Sequence, residues 1–241
     1  MEALSAREVL LAWEQGLHAG PLQRALQILS LRSSEQPLEA LASLSIGQRD
    51  AALLDLHAAT FGRQVIGKVV CPLCGEPLEL TLDVDDLRRP PALSSLDVNL
   101  ELADYQVRLH LPNSLDLAIA ADAPDLDAGR QSLLERCLLS AKHNGEKVTE
   151  LPDCVLQAIT ERLAEADPQA DLHLNVTCCG CTHNWQVTFD IVSFLWTEIE
   201  AWAMRLVHEV HALASAYGWS EHDILAMSST RRQMYLEMVA A

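Results

Sequence analysis

Two short cysteine motifs, Cys71-Pro72-Leu73-Cys74 and Cys178-Cys179-Gly180-Cys181, constrain this chain more than any other feature. Together they offer the four thiolates that a closed, tetrahedral structural zinc site requires, with Cys71, Cys74, Cys178 and Cys181 as the ligands. The flanks of each motif alternate as strands do: residues 65–70 and 78–84 around the first, 172–176 and 185–189 around the second. Two β-hairpins clasping one ion form a zinc-ribbon-like arrangement. A simple ribbon leaves roughly 15 to 20 residues between its two pairs, whereas here roughly 100 intervene, so a substantial unit is inserted between the halves.

The alternative to a metal site is a pair of free-thiol turns. Cys179 is an extra thiol that could compete for the ion, and His183 is a weaker substitute ligand. A redox role fits poorly, because a reactive Cys-x-x-Cys belongs at a helix N-terminus that lowers the thiol pKa, and strands follow both motifs here. A catalytic zinc needs an open coordination position, which four thiolates close.

The chain has 241 residues, 49% of them hydrophobic, enough to bury a sizeable core. Its 34 acidic residues against 17 basic ones give a formal charge of -17, which opposes phosphate binding, and no basic patch offsets it. With aromatic residues at only 5%, base-stacking platforms are not expected either. The first 20 residues carry Glu2, Arg7, Glu8 and Glu14 and so do not read as a signal peptide, and no segment reads as a membrane span. The expectation is a soluble chain in a reducing cytoplasm, where paired Cys-x-x-Cys units hold metal more readily than disulfides.

The expected fold class is α+β, in five segments. Residues 1–62 form an N-terminal helical region: a helix over 6–17, a second over 22–31, a polar loop at 32–36, and a third helix opened by the Ser45-Ile46-Gly47-Gln48 capping box and stopped at Gly62. Residues 63–90 form the first knuckle hairpin, ended by Arg89-Pro90-Pro91. Residues 91–170 form the inserted strand-and-helix unit. In it, two strands over 97–111 turn at Ala103-Asp104, and helices follow over 114–121, 128–142 and 153–166. Residues 171–191 form the second hairpin. Residues 192–241 carry a long helix to Tyr217, about 39 Å if unbroken, and then a helical hairpin.

Other motifs are weaker. His208-Glu209-Val210-His211 spaces its histidines three apart, where a zincin helix needs four. Cys137 and Cys154 read as small buried hydrophobes within helices. Asp83, Asp85 and Asp86 suit a solvated strand end as well as a cation site. No phosphate loop and no Ser-His-Asp set stands out, so neither an enzyme nor a small-molecule substrate is expected.

The order Ile46-Gly47-Gln48-Arg49-Asp50, Leu53-Leu54, Thr60-Phe61-Gly62, then Cys71-Pro72-Leu73-Cys74-Gly75-Glu76 and Leu78-Glu79-Leu80, resembles baseplate proteins of the T4-like bacteriophage type. Related genes lie in clusters for phage-derived contractile injection systems. Gly218-Trp219-Ser220-Glu221, Ile224-Leu225 and Arg231-Arg232 are similar to a tail piece of phage tail and baseplate assembly proteins. The likeness is strongest in the N-terminal third and loosest over 87–171. The resemblance implies a non-enzymatic structural or assembly component of a contractile-tail baseplate, in its hub region. It implies baseplate, hub, spike or tail proteins as partners, and a place in the bacterial host cytoplasm during assembly or in the tail baseplate. The competing readings are a zinc-ribbon regulatory or nucleic-acid-binding module, which a charge of -17 opposes, and a metal-dependent hydrolase, which needs an open metal site.

Overall fold

The computed structural model describes residues 2–32, 36–90 and 97–240. Most of the expected 32–36 loop and Pro91 lie outside them. Helices and small antiparallel sheets alternate along the chain, an α+β arrangement. The N-terminal part holds α1 (Ala6–Gly16), α2 (Pro21–Ser30), α3 (Leu38–Ala42) and α4 (Ile46–Thr60). Strands β1 (Gln64–Val70) and β2 (Pro77–Asp83) pair as the first hairpin, and α5 (Val84–Leu87) follows.

The middle of the chain carries β3 (Asp97–Leu102), β4 (Tyr105–His110), α6 (Ser114–Ala121), α7 (Leu126–Cys137), β5 (Leu138–His143), β6 (Glu146–Lys147) and α8 (Asp153–Ala166). Its sheet has the order β3-β4-β5-β6. The second hairpin is β7 (Leu172–Thr177) with β8 (Asn184–Phe189), followed by α9 (Ile191–Tyr217), α10 (Glu221–Leu225) and α11 (Ser229–Ala240).

Among the described residues two apolar cores result. One joins Val9, Ile28, Leu53, Leu54 and Leu56 to Val65, Val84, Leu87, Leu172 and the α9 residues Leu195, Ile199 and Leu206. Each such side chain contributes about 1.5–3 kcal/mol by leaving water. The other core lies within the middle unit, with Val98, Val107 and Leu109 against Cys137, Ala141, Val155 and Ile159. α9 buries more than one stripe, because Trp196 also turns inward: Gly16 of α1 leaves room for its ring, and the Arg24 guanidinium sits 4.0 Å over the ring centroid. At its far end Gly218, at φ +69°, closes the helix in the left-handed conformation that glycine adopts without strain.

Three local expectations are corrected. β2 ends at Asp83, before the prolines, because the Asp83 carboxylate accepts from Asp85 N and the Asp86 side chain accepts from Asp83 N, a capping box that starts α5. The acidic cluster is therefore a helix cap, with Arg63 paired to Asp83 and Asp85. The helix expected over 128–142 stops at Cys137, and residues 138–143 become β5 because β4 offers them a paired edge. Asn144 at φ +53° and Gly145 at φ +85° then turn the chain into β6, the two positive φ values that a tight hairpin demands. Cys154 is exposed in the first turn of α8, since Val155 and Ile159 occupy its inward face.

Candidate metal centre

Both knuckles are made by the same backbone device. In the first, Cys71 N donates to Glu76 O (2.9 Å) and Gly75 N to Cys71 O (3.0 Å). In the second, Cys178 N donates to His183 O (2.9 Å) and Thr182 N to Cys178 O (2.9 Å). The residue after the second cysteine takes a left-handed conformation in each, Gly75 at φ +76° and Thr182 at φ +59°. Glycine meets that demand freely, whereas a β-branched threonine is strained by it.

This geometry points both cysteines of each knuckle the same way, and the knuckles meet. Cys71 Sγ lies 3.7 Å from Cys181 Sγ and Cys74 Sγ 3.6 Å from Cys178 Sγ, and all four sulfurs lie within 4.8 Å of one another. Such separations are far too long for disulfides. They match a tetrahedron of thiolates about 2.3 Å from a zinc ion, whose edges are about 3.8 Å. Cys71 and Cys178 are buried, Cys181 is half-buried and Cys74 is exposed. The donor set and its spacing therefore fit a closed tetrahedral ion.

Backbone N–H groups and the neighbouring thiols shift the cysteine pKa values in opposite directions. Burial pushes the Cys71 thiol up, but backbone N–H groups of Cys74 and Leu73, with the Cys74 and Cys181 thiols, outweigh it and bring it down to about 7. The Glu76 N–H favours a thiolate at Cys74, yet its neighbours Cys181 and Cys178, burial and Cys71 push it up to about 12. Cys181 is also raised: the backbone at His183 favours its thiolate, but burial and the neighbouring Cys178 and Cys71 outweigh that. A divalent cation held by the four sulfurs would favour the thiolate form at each of them.

Cys179 and His183 stand outside the cluster: Cys179 is exposed, and His183 stacks on Trp185 with ring centroids 5.8 Å apart. In a second gathering of ligand-type side chains, His110, Asp116 and Cys137, the first two are already bonded within the protein. Both His110 ring nitrogens lie 2.9 Å from backbone carbonyls, of Leu111 and Arg136. The Asp116 carboxylate accepts from Arg136 Nε (3.0 Å) and Asn113 N (3.1 Å). Burial and the nearby Asp116 push the Cys137 thiol up to about 12, against the pull of Arg136. Among the described residues the His208-Glu209-Val210-His211 stretch joins no cluster of ligand-type side chains: His208 Nδ1 meets Met204 O at 2.7 Å, and Glu209 pairs with Arg232.

A buried polar seam is the feature that sequence reasoning missed. The first N–H groups of α4 have no partners within the helix and find them elsewhere: Ile46 N donates to Pro112 O (3.0 Å), Gly47 N to the Asp167 carboxylate (2.8 Å) and Gln48 N to Ser45 Oγ (3.2 Å). Pro112 and Asp167 belong to the middle unit, so α4 is where that unit is fastened to the helical body. Nearby, Arg89 N donates to Gln169 Oε1 (2.7 Å) and Gln169 Nε2 lies 3.4 Å from Leu87 O, tying the two crossings of the chain together. Arg49, paired to Asp50 at 2.7 Å, is buried beside them. A glycine within the first turn of a helix was the available signal.

Among the described residues no helix is long and apolar enough to cross a membrane. Residues 26–196, which include both knuckles, the whole middle unit and the α4 seam, match the family described as T4 bacteriophage base plate protein. No curated protein and no solved structure matches the chain.

Proposed function

The chain belongs to the T4 bacteriophage base plate protein family, and from that membership we propose that it is a non-enzymatic structural or assembly component of the hub region of a contractile-tail baseplate. One structural zinc held by Cys71, Cys74, Cys178 and Cys181 clamps it. The family match carries the baseplate role, because it covers most of the chain. Support for the zinc comes from the four convergent sulfurs at tetrahedral spacing.

On this reading the chain divides as its motifs divide: helices over 1–62, a zinc-ribbon-like pair of hairpins over 63–90 and 171–191, an inserted unit over 91–170, and a helical end over 192–241. The bound ion supplies cross-linking and no reactive position. The protein's own residues do the remaining work: the left-handed turns at Gly75 and Thr182 aim the thiolates, and backbone N–H groups from Leu73, Cys74 and Glu76 stabilise them. The chain acts through contacts with other baseplate, hub, spike or tail proteins, and is made in the reducing cytoplasm of the bacterial host.

Two measurements test this. Co-expression with the neighbouring tail genes, followed by affinity purification and mass spectrometry, should recover a defined tail component. A chain recovered only as a free species counts against the baseplate role. Metal analysis of purified protein should give about one zinc per chain, lost together with hairpin order in Cys74→Ser and Cys181→Ser. A folded, metal-replete preparation with no zinc sinks the clamp.

A further inference from the structure

α6 is built inside out. Six of its eight residues are apolar, yet its two polar residues are the buried ones, Ser114 at 1% and Asp116 at 2% exposure. Leu115 and Ile119, one turn apart on its surface, are each 48% exposed. No α6 side chain belongs to either apolar core. The helix is held instead by polar and backbone contacts. Asp116 is gripped by Arg136 and by the N–H of Asn113, and α7 approaches so closely that a Cβ on Gly129 would lie 2.9 Å from Ala120 O.

α7, which packs against α6, opens on another outward apolar side chain, Leu126, which is 88% exposed. An amphipathic helix ordinarily turns such residues toward its own core, and a cluster of them facing water marks a contact surface. Acidic groups dominate around it: Asp122 and Asp125 are exposed on the turn before α7, the exposed Arg136 is paired to Asp116, and the exposed Arg130 lines a cavity on the α8 side together with Asp127.

We propose that Leu115, Ile119 and Leu126 form a docking ridge for a different tail protein, one presenting an apolar face bordered by Lys or Arg side chains. This rests on the baseplate reading and names the kind of partner it needs. Charge selects that partner over a second copy of this chain. Two copies meeting here would press together two patches that each carry the exposed Asp122 and Asp125, on molecules each carrying -17, whereas a basic border turns the same groups into an attraction.

The tail proteins encoded beside this chain, each purified singly, are the probes, passed in turn over the immobilised full-length protein by surface plasmon resonance. One of them should bind. Leu115→Glu with Ile119→Glu should weaken that binding at least tenfold while leaving circular dichroism and melting unchanged, because neither side chain is in a core. Asp122→Lys should weaken it severalfold at low salt and less at high salt. Should the double variant misfold, Leu126→Glu, at a position almost fully in solvent, gives the same readout. A tail protein bound equally by wild type and variants overturns the ridge and leaves the baseplate reading standing. Self-association of the wild type, abolished by the double variant, overturns the choice of partner. Absence of binding by every tail protein to the wild type overturns both.

Discussion

Replacing Gly47 by alanine puts the α4 seam under direct strain. In an exposed helix the exchange is favourable by up to about 1 kcal/mol, because alanine loses less backbone freedom. At this position a Cβ would lie 2.6 Å from Asp167 Cγ and nearer still to one of its oxygens. Asp167 cannot swing away freely. Its carboxylate accepts the Gly47 N–H at 2.8 Å, its N–H donates to Leu163 O at 3.1 Å, and its carbonyl accepts from Ala170 N at 3.0 Å. Overpacking costs about 1–3 kcal/mol, and breaking a hydrogen bond to a buried carboxylate costs about 1.5–3 kcal/mol. After the helix-propensity gain, Gly47→Ala should destabilise by about 2–5 kcal/mol. For a chain of this size that lowers the melting temperature by roughly 5–15 °C. Urea and thermal unfolding, followed by circular dichroism, measure it in the wild type, Gly47→Ala, Asp167→Ala and the double variant. Because Asp167→Ala removes the obstructing carboxylate, the double variant should be more stable than the two single losses predict, by at least about 1 kcal/mol. A Gly47→Ala protein as stable as the wild type, or strictly additive losses, refutes the close approach and with it the seam.

Thr182→Gly should stabilise the chain by about 1 kcal/mol, since it relieves a β-branched residue at φ +59°; a lower urea midpoint contradicts this. Burial raises Asp50, Arg49 pulls it back, and Asp190 and Asp167 add to the rise, the net being about 6 against an ordinary 3.8. Between those values the folded chain keeps a proton that the unfolded chain has lost. The Asp50 contribution to stability therefore falls as pH rises through that window, by up to about 3 kcal/mol. Asp50→Asn should lack this fall, and parallel pH profiles of the two proteins would rule the effect out. Arg232→Ala removes a buried guanidinium bonded to Glu209 (2.9 Å) and Met227 O (2.7 Å). It should cost about 1–3 kcal/mol and expose α11 to limited proteolysis after Met227, whereas unchanged cleavage shows that α11 is held by something else.

Features encoded locally were legible. Ser45 and Gln48 announce the α4 cap because both partners lie within four residues, and the structure forms both of their hydrogen bonds. Each Cys-x-x-Cys motif announces its own knuckle because that turn is a short-range device, and the meeting of the two, across 104 to 110 residues, was legible only from the chemistry their four thiols share. What was hidden depends on distant partners. Residues 138–143 follow α7 with no change in hydrophobic period, and only the edge of β4 makes them a strand, although Asn144-Gly145 marks their hairpin. Asp167 reads as the end of a helix, because its partner Gly47 is 120 residues away. The apolar sequence of α6 carries no mark of which side is buried; the burial of Asp116 against Arg136 and the exposure of Leu115 and Ile119 show that its apolar side faces outward.

The seam and the proposed clamp close overlapping stretches of chain, so chelation would separate their roles. Tying off a loop of about 100 residues in an unfolded chain is worth about 4.7 kcal/mol in entropy. In the folded protein that loop is already closed at its base, by Gly47 to Asp167, Ile46 to Pro112, and Arg89 and Leu87 to Gln169. The middle unit also has its own core. The proposed zinc therefore adds little to closing the insertion and much to the hairpins. Their facing sides, Val69, Leu80, Leu174 and Val187, are only half-buried along a cleft of about 340 Å³, and a two-stranded hairpin is marginal by itself. After chelation, amide hydrogen exchange should speed up in residues 64–83 and 172–189 while β4, β5 and α8 keep their protection. Joint loss in both regions would mean that the metal, not the α4 seam, holds the insertion closed. Hairpins that stay protected without metal would mean that the four cysteines carry no structural ion.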